Sequence, residues 1–281
     1  MEANNCFSTN KILELSQFIE TNYGIKMPAS KKVMLESRLR RRMRQVGYTS
    51  IAEYLDFVFS SEGKRHELGN MVDAITTNKT YFFREPKHFD ILVAKVIPQI
   101  ISSGFTPSPL RVWSSACSSG EEPYSIAMML GELAEDNHRL KFNILASDLC
   151  TKVLKKACRA VYNEEEIKDI PLYYRKKYLL KSKESALGLV QVAEHLRNMI
   201  TFRRINLMAD DFGVKKRMHV IFCRNVLIYF QKDQQERLIL KFGRQLEPGG
   251  FLFIGHSESL VGMNVPFCQV LPTVYQKISE F

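Results

Sequence analysis

The chain has 281 residues, 45% of them hydrophobic and 25% charged, the profile of a soluble globular protein with length for one large or two modest domains. Its 40 Lys and Arg outnumber 30 Asp and Glu, and this net charge of +10 favours an acidic partner, whether nucleic acid, an anionic membrane or an acidic protein surface. No apolar run approaches the roughly 20 residues of a membrane span, and the opening MEANNCFSTNK has no signal-peptide core, so a cytoplasmic protein is expected.

Cysteines 6, 117, 150, 158, 223 and 268 make no C-x-x-C pair, and the six histidines make no ligand-spaced cluster. Reduced thiols and no structural metal are therefore expected.

Residues 1–76 read as an all-helical domain. Ile12, Leu15, Phe18 and Ile19 recur at helical spacing, Ser50 and Glu53 form a capping box, and Leu68, Met71, Val72 and Ile75 mark a further helix. The segment Lys31–Val46, with Ser30 as its expected N-cap and Gly47 as its end, carries one apolar stripe of Leu35, Leu39, Met43 and Val46. Arg38, Arg40, Arg41, Arg42 and Arg44 occupy the remaining surface, and Lys26–Val46 holds eight bases against the single acid Glu36. Like charges at this density repel, so they call for a compensating partner. With no aromatic residue among them to stack bases, an acidic protein helix fits better than single-stranded nucleic acid.

Residues 77–109 form a connector and a leading helix. In ITTNKTYFFREPKH, polar Asn78 and Thr80 precede two aromatics and Arg84-Glu85-Pro86, with Pro86 opening a helix to about Ile101. The segment is expected to fold over a cofactor cleft, to which Arg84 brings a fixed positive charge.

The stretch Leu110–Ser125, LRVWSSACSSGEEPYS, reads as a strand, a tight turn of small residues and a helix start. A second strand, Phe142–Ser147, ends in Asp148, where an acid reaches ribose hydroxyls in nucleotide-binding α/β domains. The turn has one glycine, Gly120, and two acids, Glu121 and Glu122, at the helix start. A pyrophosphate would be repelled there, whereas a cationic cofactor such as S-adenosylmethionine would not. Packing alone also accounts for a strand–turn–helix of small residues.

Beyond Asp148 a helix is expected over Thr151–Val161 and an inserted β-subdomain over residues 162–198. Strands follow at Ile200–Ile205, leading to Asn206, and at His219–Cys223, then a helix over Asp233–Leu246 and a Pro248-Gly249-Gly250 turn. A strand at Phe251–Ile254 and a terminal hairpin around Pro272 complete the chain. The alternation implies an α/β fold with a mostly parallel sheet.

Five ordered motifs, ITTNKTYFFREPKHF, RVWSSACSSGEEPYSIA, ILASDL, IFCRNVLIYF and LEPGGFLFIGHSE, closely resemble those of the CheR family, bacterial chemotaxis methyltransferases that esterify chemoreceptor glutamates. The resemblance implies a class I methyltransferase domain, Rossmann-like with a seven-stranded sheet, over residues 110–281, and S-adenosylmethionine as methyl donor. It places Asn78, Thr80 and Arg84 of the connector on the cofactor, Glu122 at its amino end and Asp148 at its ribose. Asn206 and Leu207 would lie beside the adenine, and Arg224 and Asn225 near the methionine portion. Arg84 and Tyr229 would face the transferred methyl and the incoming carboxylate, with Glu121 as the alternative cleft acid. Arg38, Arg41, Arg42 and Arg44 would meet the acidic methylation helices of a receptor, bringing a cytoplasmic monomer to membrane-bound receptor arrays.

One departure concerns the β-subdomain, where family members that dock a receptor's C-terminal pentapeptide tend to carry G-x-G. This chain reads Lys181-Ser182-Lys183-Glu184-Ser185 there, so the tether does not carry over from the resemblance. A nucleic-acid methyltransferase would place N/D-P-P-Y/F where Arg224–Tyr229 stand, and a non-catalytic receptor-docking protein is a further alternative.

Overall fold

The computed structural model describes residues 9–102, 109–182 and 188–278. Two compact units emerge, one running to Thr77 and including Tyr229–Gln234, the other comprising Asn78–Ile228 and Gln235 onward. Among the described residues no helix is long and apolar enough to cross a membrane.

The first unit holds α1 (Thr9–Tyr23), α2 (Lys32–Gln45), α3 (Ile51–Phe59), α4 (Ser61–His66) and α5 (Leu68–Ile75). Apolar positions three and four apart close its core, among them Leu15 and Ile19 of α1, Leu35, Leu39 and Met43 of α2, and Met71, Val72 and Ile75 of α5. Ser50 caps α3 by accepting the Glu53 N–H at 3.5 Å. Ser30, the expected cap of α2, has no such role. The turn Ala29–Lys31 is already 3-10 helical, its Lys31 N–H bonded to the Pro28 carbonyl at 2.8 Å, and it runs into α2 with helical backbone at Lys31.

A buried acid ties this unit together. Glu67, 4% exposed, accepts from Arg42 Nε at 2.7 Å and Nη2 at 2.6 Å, from the Tyr54 hydroxyl at 2.8 Å and from Asn70 at 3.2 Å. Arg38 donates to the Ile75 and Thr76 carbonyls at 2.6 and 2.8 Å, a cation on the unsatisfied end of α5.

The second unit begins with α6 (Lys87–Ile91), a π-helical stretch Leu92–Val96 and α7 (Ile97–Ser102). Sequence reading expects one uninterrupted helix here. Pro98 supplies the reason for the wider turn, since its ring crowds the carbonyl four residues back, and the Ile97 N–H bonds Leu92 instead.

Then come β1 (Leu110–Ser114), α8 (Glu121–Asp136), β2 (Phe142–Asp148), α9 (Thr151–Arg159), β3 (Val161–Asn163), α10 (Leu172–Tyr178), β4 (Leu179–Lys181), β5 (Leu189–Val192), α11 (Glu194–Arg197) and β6 (Ile200–Arg204). The chain finishes with β7 (Met218–Cys223), α12 (Lys232–Gln245), β8 (Leu246–Ile254), β9 (Phe267–Leu271) and β10 (Val274–Lys277). The helix α9 stops short of Val161 because Ala160 turns left-handed, at φ 55°, and starts β3.

Seven strands form one sheet in the order β6-β2-β1-β7-β8-β10-β9, parallel from β6 to β8 and closed by the antiparallel hairpin β9–β10. Every residue of β7 is buried, as expected of a parallel strand covered on both faces. The order reverses between β1 and β7, and the carboxyl ends at such a reversal leave a crevice for ligands. The expected Pro248-Gly249-Gly250 turn lies inside β8 as an irregularity in its pairing with β7, with Gly249 at φ 72°. The antiparallel sheet β3-β5-β4 interrupts the βα alternation. Residues 183–187, where the G-x-G departure falls, lie outside the described residues.

In the folded chain the Glu67 carboxyl sits below its ordinary range, because burial, which pushes it up, is outweighed by hydrogen bonds from Arg42, Tyr54 and Asn70. Its contribution is therefore present above the unfolded pKa of about 4.3 and lost as pH falls through the lower folded value. Amide protection across residues 32–75, taken relative to the intrinsic exchange rate at each pH, should be flat above that pH and fall below it. Glu67→Ala should weaken the same amides by about 3 kcal/mol, the low end for breaking a buried pair, since Arg42 keeps some access to water. Gly120, at φ +100°, has no room for a Cβ, which would lie 2.8 Å from the Tyr162 hydroxyl and 2.9 Å from Ala157 Cβ. Gly120→Ala should therefore lower stability by about 1–3 kcal/mol, read as a drop in melting temperature.

Candidate active site

The turn after β1 is fixed from several sides. Ser115 N–H donates to Phe222 O at 2.9 Å and Cys117 N–H to Ser147 O at 2.8 Å, pinning the turn to β7 and β2. The Asp148 carboxylate accepts the Ser118 N–H at 2.8 Å and, through its other oxygen, the Cys150 N–H at 2.9 Å. The acid at the end of β2 is thus oriented by backbone on both oxygens. The Ser118 hydroxyl donates to the Asn78 carbonyl at 3.0 Å, joining the connector to the turn.

Two adjacent acids at the start of α8 have separate roles. Glu121, 3% exposed, accepts from the Ser119 hydroxyl at 2.8 Å, and burial pushes its carboxyl up. Glu122 accepts from the Ser114 hydroxyl at 2.7 Å and from Arg224 Nη1 at 3.2 Å. Burial likewise raises its carboxyl, against the pull of Arg224 and Ser114. Glu122 is thus the acid paired with Arg224, while Glu121 turns to Ser119.

Arg224, on the loop after β7, is the hub of the site. Its guanidinium lies 3.2 Å from a Glu85 oxygen, bonds the Arg84 carbonyl, and stacks over the Phe89 ring 5.6 Å from its centre. Asn225 Nδ2 donates to the other Glu85 oxygen at 3.1 Å. Phe83 and Glu85 sit at φ 54° and 57°, and Asn225 at 56°. Left-handed backbone is uncommon for residues with a Cβ and is held here by surrounding contacts. The Phe83 N–H, for example, bonds the Ser125 hydroxyl at 2.9 Å.

The Arg84 side chain, half-buried, donates to the Lys79 carbonyl at 3.0 Å and lies over the Tyr81 ring, 5.7 Å from its centre. Thr80 is half-buried on the same connector. Asn206 follows Ile205, whose N–H bonds the Asp148 carbonyl at 3.1 Å, and its Oδ1 accepts the Met208 N–H at 3.0 Å. Leu207 is 7% exposed and offers its carbonyl to Lys241 at 2.9 Å. Tyr229 groups with the helical unit, its carbonyl accepting the Lys26 N–H at 2.8 Å and its ring 5.2 Å from Lys31 Nζ.

The expected basic surface divides. Arg41 and Arg44 are exposed, whereas the Arg38 and Arg42 guanidiniums serve the α5 carbonyls and Glu67. Arg38 and Arg42 therefore have acceptors within the chain itself.

Sequence reasoning also missed residues. Glu85 was visible only as part of a polar connector. Glu258, 7% exposed, accepts the Gly255 and Asn225 N–H groups at 2.6 and 2.9 Å and so shapes the loop that carries Arg224. Its signal in the sequence is an acid four residues past the end of the apolar strand β8.

The donor set suits S-adenosylmethionine. Glu122 and Asp148 are carboxylates at the carboxyl ends of β1 and β2, beside the strand-order reversal, and they match an ammonium group and ribose hydroxyls.

The family model described as CheR methyltransferase, SAM binding domain, matches residues 78–275, and CheR methyltransferase, all-alpha domain, matches residues 10–76. The chemotaxis protein methyltransferase of Borreliella burgdorferi is 39% identical, with 95% of this chain and 94% of that protein covered. Those of Klebsiella aerogenes and Escherichia coli are each 37% identical, covering 95% and 93% of this chain and 89% and 88% of theirs. With both family models matched in order, and with relatives of this identity aligned over nearly their whole length, the chain belongs to the CheR methyltransferase family, whose cofactor is S-adenosylmethionine.

Proposed function

We propose that this chain transfers a methyl group from S-adenosylmethionine to glutamate side chains on the cytoplasmic methylation helices of chemoreceptors, forming methyl esters. The observation that carries the reading is the Glu122–Arg224–Glu85 cluster beside Asp148 in a chain of this family. Asn78, Thr80, Arg84, Glu122, Asp148, Asn206, Leu207, Arg224 and Asn225 are the residues that would hold the cofactor. Bound there, the cofactor supplies an electrophilic methyl on a sulfonium.

A glutamate with pKa near 4.3 is already ionised at neutral pH. No residue has to remove a proton, which accounts for a reading built on positioning rather than on a His–Asp or Cys–His pair. Arg84 would hold the incoming carboxylate by a charge-assisted hydrogen bond, and Tyr229 would orient it. Exclusion of water from that carboxylate and its alignment can contribute about 7–11 kcal/mol. The exposed Arg41 and Arg44 of α2 would attract the acidic receptor helix.

The purified chain, incubated with methyl-tritiated cofactor and receptor-containing membranes, should label receptor protein with base-labile tritium that distils as methanol. Label in nucleic acid, or cofactor binding without label, would overturn the reading. Arg84→Ala should lower kcat/KM roughly 10- to 150-fold, the loss of one charged hydrogen bond worth about 1.5–3 kcal/mol, with a much smaller change in cofactor affinity. Arg41→Glu combined with Arg44→Glu should raise KM for receptor and leave cofactor affinity unchanged. The wild-type KM should rise with salt more steeply than cofactor Kd, since exposed charges are screened within about 10 Å at 0.1 M.

A further inference from the structure

Three side chains converge at the end of the connector, Glu85 and His88 from a single turn and His256 from the loop after β8. Glu85 Oε2 lies 3.4 Å from His88 Nδ1 and 3.9 Å from His256 Nε2. The potential ligand atoms of the three residues all fall within 4.8 Å of one another. His88 is 1% exposed, yet its Nδ1 has no hydrogen-bond partner, because the 3.4 Å approach to Glu85 is not aligned as one.

His88 Nε2 lies 2.7 Å from the Thr273 hydroxyl, whose own hydrogen has an acceptor in the Pro272 carbonyl 2.8 Å away. In the tautomer that carries the proton on Nε2, the neutral ring presents a lone pair at Nδ1, 3.4 Å from Glu85. In that tautomer a carboxylate oxygen and an imidazole nitrogen face each other with no hydrogen between them, the same oxygen also lying 3.2 Å from the Arg224 guanidinium.

We propose that Glu85, His88 and His256 bind a divalent transition metal of the zinc class. Bonds of about 2.0–2.1 Å in a tetrahedral site put ligand atoms about 3.3–3.4 Å apart, with each lone pair aimed at the ion and away from the neighbouring ligand. The His88–Glu85 separation and its misalignment both match such an edge. Two imidazoles and a carboxylate form a donor set suited to zinc rather than to magnesium or calcium. The surroundings supply the outer support that metal ligands ordinarily have. Thr273 meets His88 Nε2, and Arg224 and Asn225 hydrogen-bond the Glu85 carboxylate. His256, with a side chain 51% exposed, opens the site to solvent for entry and for a water as fourth ligand.

The test uses the full chain, stripped with EDTA, exchanged into chelator-free buffer and titrated with ZnCl2 by calorimetry and with CoCl2 by absorption. The expected result is one zinc per chain and cobalt d–d bands of tetrahedral intensity, without a thiolate charge-transfer band. His256→Gln and His88→Gln should each weaken zinc at least the roughly 10–100-fold that loss of an outer partner costs. Should His88→Gln fail to fold, the half-exposed His256 still decides. The proposal is overturned by absence of zinc uptake at millimolar concentration, by undiminished affinity in His256→Gln, or by a thiolate band that moves the ion to cysteine.

Discussion

A guanidinium almost without access to water governs the catalytic unit. The Arg224 side chain is 1% exposed, and two carboxylates, Glu85 from the connector and Glu122 from α8, balance its charge. Taking such a group out of water costs several kcal/mol, returned only when its hydrogen bonds are well satisfied. The three segments that carry these residues are thereby held to one arrangement, and removal of Arg224 would leave two largely buried carboxylates facing each other without a cation.

Backbone strain is concentrated in the same place. Phe83, Glu85, Ser118 and Asn225 all have positive φ, at a cost of about 1–3 kcal/mol each. Glycine would relieve the strain but would delete the side chain that the position is there to present. At Glu85 that is the carboxylate facing Arg224, and at Asn225 the amide that meets Glu85. The one glycine of the turn, Gly120, stands where neighbouring Ala157 and Tyr162 leave no space for a side chain.

Much of this architecture was legible in the order of residues. Strand β1 followed by small residues, paired acids and a helix located the cleft, and Asp148 at the end of an apolar run marked the next strand. What was hidden depended on partners remote in sequence. Arg38 and Arg42 share a helix with Arg41 and Arg44 and look the same in a charge pattern, but Glu67 and the end of α5 claim the first two. The β8 irregularity was misread as a turn because Pro-Gly-Gly is a local turn signal, while pairing with β7 is not local. His88 and His256 show no motif spacing at all, and only the fold brings their rings to 4.9 Å.

Side by side at the start of α8, Glu121 and Glu122 point in different directions, one to Ser119 within its own turn, the other to Arg224. Neutralising the first would act inside a single bend of the chain, whereas neutralising the second would loosen the tie between α8 and the loop that carries Arg224. Two substitutions one position apart would thus differ in reach, one staying local and the other felt as far as the connector through Glu85.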